Sequence, residues 1–303
     1  MIDVDRLLHN YLSEKLGAVL RTIDKEDFER AEEIRIRLGK PLYIRQGKKE
    51  VYPLWQGQQY IPNKEDIEGT INKMSNYSVY AFNEEMKRGF LTLPGGCRVG
   101  ICGEGVWSNE EMMALKNISS LNIRLAREVK GCGDKVIDYI YNKKFYSTLV
   151  VSPPACGKTT LLRDIIRQLS NRGLSVGVAD ERGEIAGTYM GQAGTDVGTR
   201  TDVMDGCIKS DAMYMLLRSM SPDVIAADEI GSNKELHLMR EIANSGIGLL
   251  CSVHGSCLEE LTKRPVFKTA IKDRLFDRYV VLSRRNGAGT IEGVYDEGLN
   301  EIC

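Results

Sequence analysis

The chain has 303 residues, 42% hydrophobic and 27% charged, with 41 Lys plus Arg against 42 Asp plus Glu and a formal net charge of −1. This is an ordinary globular composition with room for two domains. It offers no overall basic footprint for nucleic acid, no apolar run near the ~18 residues that span a bilayer, and no basic-then-apolar secretion signal in the opening MIDVDRLLHNYLSEKL.

The expected location is therefore the cytoplasm. Eight cysteines, at 97, 102, 132, 156, 207, 251, 257 and 303, include no Cys-x-x-Cys pair, and the three histidines do not cluster with them. Reduced, mostly buried thiols are expected rather than zinc ligands.

Taken in chain order, residues 2–20 carry Leu7, Leu8, Leu12, Leu16 and Leu20 at helical spacing and predict one helix. EEIRIRLGKPLYIRQGKKEVY (32–52) alternates around Gly39-Lys40-Pro41 and reads as a hairpin. A helix is expected over 63–77, and GFLTLPGGCRVGICGEGV (89–106) reads as strand–turn–strand. SSLNIRLAREVKG closes what is expected to be a small α+β domain, residues 1–132.

Residues 133–303 have a different grammar. KVIDYIYNKKF is expected to be helical, and STLVVS is a short β-branched strand suited to burial on both faces. TTLLRDIIRQLSNRG is an amphipathic helix, LSVGVAD a strand, DAMYMLLRSM a helix, PDVIAADEI a strand, KELHLMREIANSG a helix and IGLLCSV a strand. Such alternation predicts a mostly parallel, doubly wound α/β sheet. RYVVLSRRNGAGTIEGVY reads as a closing hairpin.

Between the first of these strands and its helix lies VVSPPACGKTTLLRD. Gly157, Lys158 and Thr159 complete the end of a phosphate-loop pattern, while Ser152 stands where the pattern has its first glycine. Backbone amides at a helix N-terminus converge on phosphate oxygens. Lys158 would reach the terminal phosphates and the Thr159 hydroxyl would ligate Mg²⁺. Pro153 and Pro154 have no N–H, so the cradle must draw on Ala155, Cys156, Gly157, Lys158, Thr159 and Thr160. If the turn at Ser152 needs a positive φ, serine there costs roughly 1–2 kcal/mol.

PDVIAADEIG ends a buried strand in two carboxylates. Asp228 would support Mg²⁺ through a water and Glu229 would polarise the attacking water. ADERGE and CSVHGS fall at the matching ends of two other strands, offering Asp180, Glu181, Arg182, Glu184 and His254. His254 is read either as a structural histidine or as a γ-phosphate contact. Arg200 and Arg218 are read either as surface ion-pair partners or as stabilisers of transition-state charge.

These stations, in this order from about residue 145 to 260, resemble the bacterial secretion ATPases of type II and type IV secretion and pilus retraction. LLRSMSPDVIAADEIG is similar to the family's Leu-Arg-x-x-Pro-Asp-x-Ile-x-x-x-Glu stretch, ADERGE lies at its acidic box, and NSGIGLLCSVHGS resembles its His box. Along almost the whole chain, EIRIRLGKPLYI, GGCRVGICGE, SSLNIRLAREVKG, SPPACGKTTLLRD and DERGEIAG resemble the family's sporulation branch from endospore-forming Firmicutes.

The resemblance implies a RecA-like P-loop ATPase domain, ATP and Mg²⁺ as cofactors, and a hexameric ring. It also implies membrane channel proteins as partners, on the mother-cell face of the forespore outer membrane. Arginines of the N-terminal domain reach the nucleotide in the family, and Arg124 and Arg127 match them. Where the family has an EDP-like sequence this chain has Asp180-Glu181-Arg182, leaving open which carboxylate fills the acidic-box role. The primary expectation is an ATP-hydrolysing motor with Lys158, Glu181, Glu229 and His254 as catalytic residues. The alternative is an ATP-binding scaffold with negligible turnover. A nucleic-acid motor is disfavoured by near-neutral charge and the lack of an aromatic-plus-basic tract.

Overall fold

The computed structural model describes residues 4–75, 86–87, 89–108, 111–125 and 128–303. They fall into two compact units, Met1–Arg127 with Tyr189–Gly194, and Glu128–Thr188 with Thr195–Cys303.

In the first unit, α1 (Val4–Asn10), α2 (Glu14–Leu20), α3 (Lys25–Glu29) and α4 (Lys64–Met74) accompany an antiparallel sheet. Its strands are β1 (Glu33–Arg37), β2 (Tyr43–Gln46), β3 (Lys49–Val51), β6 (Phe90–Leu93), β7 (Cys97–Ser108) and β8 (Glu111–Arg124). They lie in the order β3-β2-β1-β8-β7-β6, and β4 (Leu54–Trp55) and β5 (Gln58–Gln59) make a separate ribbon. Leu12, Leu16, Leu20, Ile34, Ile36 and Ile67 share the core.

The helix expected over 2–20 is two. Ser13 breaks it, its N–H donating to Thr70 Oγ1 (3.0 Å) and its Oγ accepting from the Leu16 N–H (3.3 Å). α4 opens on a capping box between Asn63 and Asp66 and is capped at Ser75. Residues 76 and 77 of the expected helix lie outside the described residues. β7 and β8 continue as a paired arm as far as Ser108↔Glu111, with β7 exposed from Cys102 onward.

The second unit opens with α5 (Ile137–Ile140) and a ribbon of β9 (Tyr141–Asn142) and β10 (Lys144–Phe145). The helix expected over 135–145 therefore stops after one turn. Lys143 turns the chain at φ 60, and the tight β9–β10 pairing replaces further helical hydrogen bonds.

The main sheet comprises β11 (Thr148–Ser152), β12 (Val176–Asp180), β13 (Thr201–Asp205), β14 (Val224–Ala227), β15 (Gly248–His254), β16 (Arg278–Ser283) and β17 (Thr290–Asp296). Their order is β13-β12-β14-β15-β11-β16-β17, parallel throughout except for the β16–β17 hairpin. β13 was not anticipated, because TDVMD is half-exposed and reads as polar.

α6 (Lys158–Asn171), α7 (Lys209–Ser219), α8 (Asn233–Asn244), α9 (Leu258–Lys263) and α10 (Pro265–Lys272) cover the sheet. Alternation along β11 sends Val150 to a core with Leu161, Ile165 and Leu169 of α6. Leu149 and Val151 go to a second core with Met213 of α7 and Met239 of α8. This is an α/β fold with a mostly parallel sheet packed on both faces. All eight thiols are free, with Cys97, Cys156 and Cys251 buried and Cys102 and Cys303 exposed.

One close approach tests the packing of the first unit. A Cβ on Gly17 of α2 would stand 2.6 Å from the Leu8 carbonyl oxygen. Helix propensity alone favours alanine there by about 1 kcal/mol. The clash is expected to reverse that sign, so Gly17→Ala should cost about 1–3 kcal/mol in urea unfolding. Gly69→Ala in α4, whose added Cβ would meet Ser13 Cβ at 3.4 Å, should instead be neutral or stabilising. Equal shifts in the two variants would refute the contact.

Candidate functional site

Parallel pairing sets the edge on which the site is built. β11 lies between β15 and β16, with Ser152 opposite His254. Ser152 is buried, its Oγ donates to the Pro153 carbonyl (2.9 Å) and its own carbonyl accepts from the Gly255 N–H (3.1 Å). The left-handed residues are Ala155 (φ 58) and Gly157 (φ 84), and Ser152 is not among them. The conditional strain attached to serine at this position therefore does not arise. A Cβ on Gly157 would lie 3.1 Å from the Gly289 backbone nitrogen, so both conformation and space require glycine there. With Pro153 and Pro154 as non-donors, the loop turns through Ala155 and Cys156 into the first turn of α6, where Lys158, Thr159 and Thr160 stand.

Across β15 stand the two carboxylates that follow β14. Lys158 is 5% exposed, and its Nζ lies 3.1 Å from Asp228 Oδ1 and 3.4 Å from Glu229 Oε1 without hydrogen-bond geometry. The Thr159 hydroxyl donates to Asp228 Oδ2 at 2.6 Å. Ser252 Oγ donates to Asp228 Oδ1 and accepts from the Glu229 N–H at 3.0 Å. His254 Nε2 lies 2.7 Å from Glu229 Oε1, and Arg182 Nη1 lies 3.1 Å from Glu229 Oε2.

Burial pushes the Asp228 carboxyl upward, but the Lys158 ammonium and the Ser252 and Thr159 hydroxyls outweigh it, holding it below the usual range. Glu229 behaves alike: burial raises it, and Lys158 with His254 brings it below its ordinary value.

The acidic stretch after β12 divides its labour. Asp180 is buried and spends both oxygens on the N–H groups of Glu184 (2.9 Å), Ile185 (3.1 Å) and Ala186 (2.8 Å). Burial nevertheless raises its pKa. Arg163 of α6 reaches the same loop, donating to the carbonyls of Ile185 (2.5 Å) and Glu184 (2.6 Å). Glu181 remains half-exposed, 4.0 Å from Lys209 Nζ, in a cleft also lined by Asp180, Arg182, Glu184, Asp228 and Glu229.

The family described as "Sporulation stage III, protein AA" matches residues 4–302. The chain belongs to that family. It is 37% identical over 297 residues to "Stage III sporulation protein AA" of Bacillus subtilis (strain 168), covering 96% of this chain and 95% of that protein. Among solved structures, the Legionella pneumophila ATPase DotB is similar at TM-score 0.60 and 14% identity, covering 90% of this chain and 77% of that one. The pilus retraction motor PilT with bound ADP is similar at TM-score 0.57 and 14% identity, covering 85% and 76%. The fold is thus that of secretion-type, RecA-like P-loop ATPases.

The fold of this sporulation-family chain brings together Lys158, Thr159, Asp228, Glu229 and His254, with Glu181 at the margin. Arg200 precedes β13, its carbonyl accepting from the Val176 N–H at the start of β12, which is the opposite edge of the sheet. Arg218 sits in the last turn of α7, about 13 Å along the helix from Lys209. Arg124, in the first unit, ends β8 and lies 3.8 Å from Glu33 Oε1, a carboxylate shared with Arg35 and Arg45 at 3.0 Å each. Arg127 lies outside the described residues.

Three contributors escaped the sequence reading: Ser252, Arg163 and Lys209, whose Nζ donates to the Glu229 carbonyl at 2.7 Å. Only Ser252 carried a signal, since strand alternation puts residues two apart on one face and His254 had been singled out.

Two outcomes follow from this geometry. Asp228 and Glu229 have folded pKa values below their ordinary 3.8 and 4.5, so their ionisation stabilises the fold above those values and is lost as pH falls through the folded ones. Lys158→Met removes the largest lowering influence on both carboxylates and leaves burial opposed only by the Ser252, Thr159 and His254 contacts. The stability gap between wild type and variant should therefore open below about pH 4.5, as the wild-type carboxylates ionise, and widen toward neutrality, reaching about 3 kcal/mol. A gap independent of pH in urea titrations would contradict it. Ser152→Gly, which restores the pattern's glycine, should lower stability by about 0.5–1 kcal/mol rather than raise it. Thermal unfolding decides that sign.

Proposed function

We propose that this chain is a Mg²⁺-dependent ATPase motor of the secretion type that energises a sporulation channel complex between mother cell and forespore. Residues 133–303 act as the motor domain, after a 1–132 domain, in a homo-oligomeric ring of six. The ring is held by membrane proteins of the channel on the mother-cell face of the forespore outer membrane, and nucleic acid is not a partner. Among the described residues no helix is long and apolar enough to cross a membrane, which suits attachment through partners.

The observation that carries the reading is the buried Lys158 ammonium, 5% exposed and held among the described residues only by its ion pairs with Asp228 and Glu229, at the start of a helix whose loop leaves no room for a Cβ at Gly157. A buried donor at a helix N-terminus fits an anionic phosphate. Thr159 and Asp228 are hard oxygen donors 2.6 Å apart, which suits Mg²⁺. Among the described residues no group of three or more His, Cys, Asp or Glu is placed to hold a metal alone, so a cation here would share its ligands with substrate oxygens and water. Bound there, Mg²⁺ would neutralise charge on the terminal phosphates.

Lys158 would exchange its carboxylate neighbours for phosphate oxygens. Glu229 would take the proton of the attacking water. His254 would hold Glu229 in orientation at 2.7 Å. Glu181 and Lys209 would line the γ-phosphate side.

One observation favours the second reading, an ATP-binding scaffold with negligible turnover. Both Glu229 oxygens are engaged, Oε1 by His254 and Oε2 by Arg182. Phosphate release and ATP binding measured together separate the two. The motor reading expects Mg²⁺-dependent release by wild type, a loss of about 10²- to 10⁴-fold in Glu229→Gln with ATP binding retained, and lost binding in Lys158→Ala. Tight ATP binding with blank-level release, even beside membrane partners, would select the scaffold. No binding by wild type would overturn both.

A further inference from the structure

The strand order gives the nucleotide site a direction. Asp228 and Glu229 follow β14, and His254 ends β15, so the catalytic groups all lie on one side of β11. On the other side lies β16, parallel to β11, so its end reaches the same edge of the sheet as the phosphate loop. The β16–β17 turn, residues 284–289, follows there. It touches the loop directly: the Gly289 N–H donates to the Cys156 carbonyl at 2.8 Å, and Gly157 has no room for a Cβ because of Gly289.

A triphosphate whose terminal phosphate faces Asp228 and Glu229, and whose chain crosses Lys158, must emerge on the β16 side. We propose that the turn of residues 284–289 is the nucleoside-recognition element of this site, with Arg284 as its base- or ribose-contacting residue. The proposal rests on the nucleotide reading above.

The turn is built to present Arg284. Its backbone is held from within, the Asn286 N–H donating to Thr290 Oγ1 (3.2 Å) and Thr290 Oγ1 donating to the Gly287 carbonyl (2.8 Å). Gly287 (φ 107) and Gly289 (φ 85) supply left-handed turns that side-chain-bearing residues avoid. Of the two adjacent arginines, Arg285 is committed to Glu292 at 2.5 Å. Arg284 is exposed; its carbonyl accepts from the Gly287 N–H at 3.2 Å, while among the described residues its guanidinium makes no hydrogen bond or ion pair. A planar guanidinium stacks on base faces and donates to ribose and ring acceptors, which suits it to a nucleoside emerging beside it.

The test compares two probes that share a phosphate chain and differ in the nucleoside. Magnesium ATP and magnesium tripolyphosphate are titrated by calorimetry into wild type, Arg284→Ala and Lys158→Ala. Arg284→Ala is expected to weaken ATP about tenfold while leaving the tripolyphosphate Kd unchanged. Lys158→Ala is expected to weaken both. An unchanged ATP Kd in Arg284→Ala, or equal losses for the two probes, overturns the assignment but leaves the phosphate site standing. Failure of wild type to bind either probe overturns the nucleotide reading, and this assignment with it.

Discussion

Burying an ammonium is costly unless opposite charge stands beside it, and the Lys158 side chain is 6% exposed with two carboxylates within 3.4 Å. That requirement ties together elements far apart in sequence. Lys158 begins α6, while Asp228 and Glu229 follow a strand two places away in the sheet, with β15 between. The intervening strand contributes the parts that make the pair stable. Ser252 bridges Asp228 to the Glu229 amide, and His254 takes a Glu229 oxygen. Glu229 itself sits at φ 55, a conformation costing about 1–2 kcal/mol for a residue with a Cβ. It is held there from both backbone ends, by Ser252 at its N–H and by Lys209 at its carbonyl. Strain concentrated on one carboxylate and over-determined by its neighbours is a mark of a positioned functional group.

The loop after β12 obeys a different economy. Asp180 is spent on three backbone amides and Arg163 on two carbonyls of the same short segment. Because Arg163 belongs to α6, the helix that follows the phosphate loop is fastened to the segment that carries Glu181 and Arg182. The acidic stretch therefore contains one residue that builds the loop and others that the loop presents.

Much of this was legible in the sequence because it is local. Strand–loop–helix succession, β-branched runs such as TLVVS and the paired carboxylates after VIAA all declare themselves within a few residues. What escaped depends on register and long-range partners. Ser252 gains its role only when β14 and β15 align with Ala227 opposite Cys251. Arg163 reads as one charge on an amphipathic helix until the loop after β12 folds over it. The helix expected over 135–145 failed because Val136, Ile137 and Ile140 are buried at helical spacing while Lys143 turns the chain. The helix expected over 2–20 failed because Ser13 finds a partner in Thr70, more than fifty residues away.

The serine in place of the loop's first glycine illustrates the same division. A pattern treats each position as an independent demand, and by that standard Ser152 looks like a defect. In the fold, position 152 is the last residue of a buried strand, where a Cβ is welcome and the hydroxyl finds the Pro153 carbonyl. The demand for left-handed backbone has moved to Ala155 and Gly157. Gly157 is confined by Gly289, from the turn that follows the neighbouring strand β16. The loop is thus shaped from two sides: by the β16–β17 turn that sets where it bends, and by the β14 and β15 carboxylates and hydroxyls that set where its lysine points. A loop so held has less need of glycine freedom, and two prolines that donate no hydrogen bonds narrow its conformations without removing an amide from the helix end that would face phosphate.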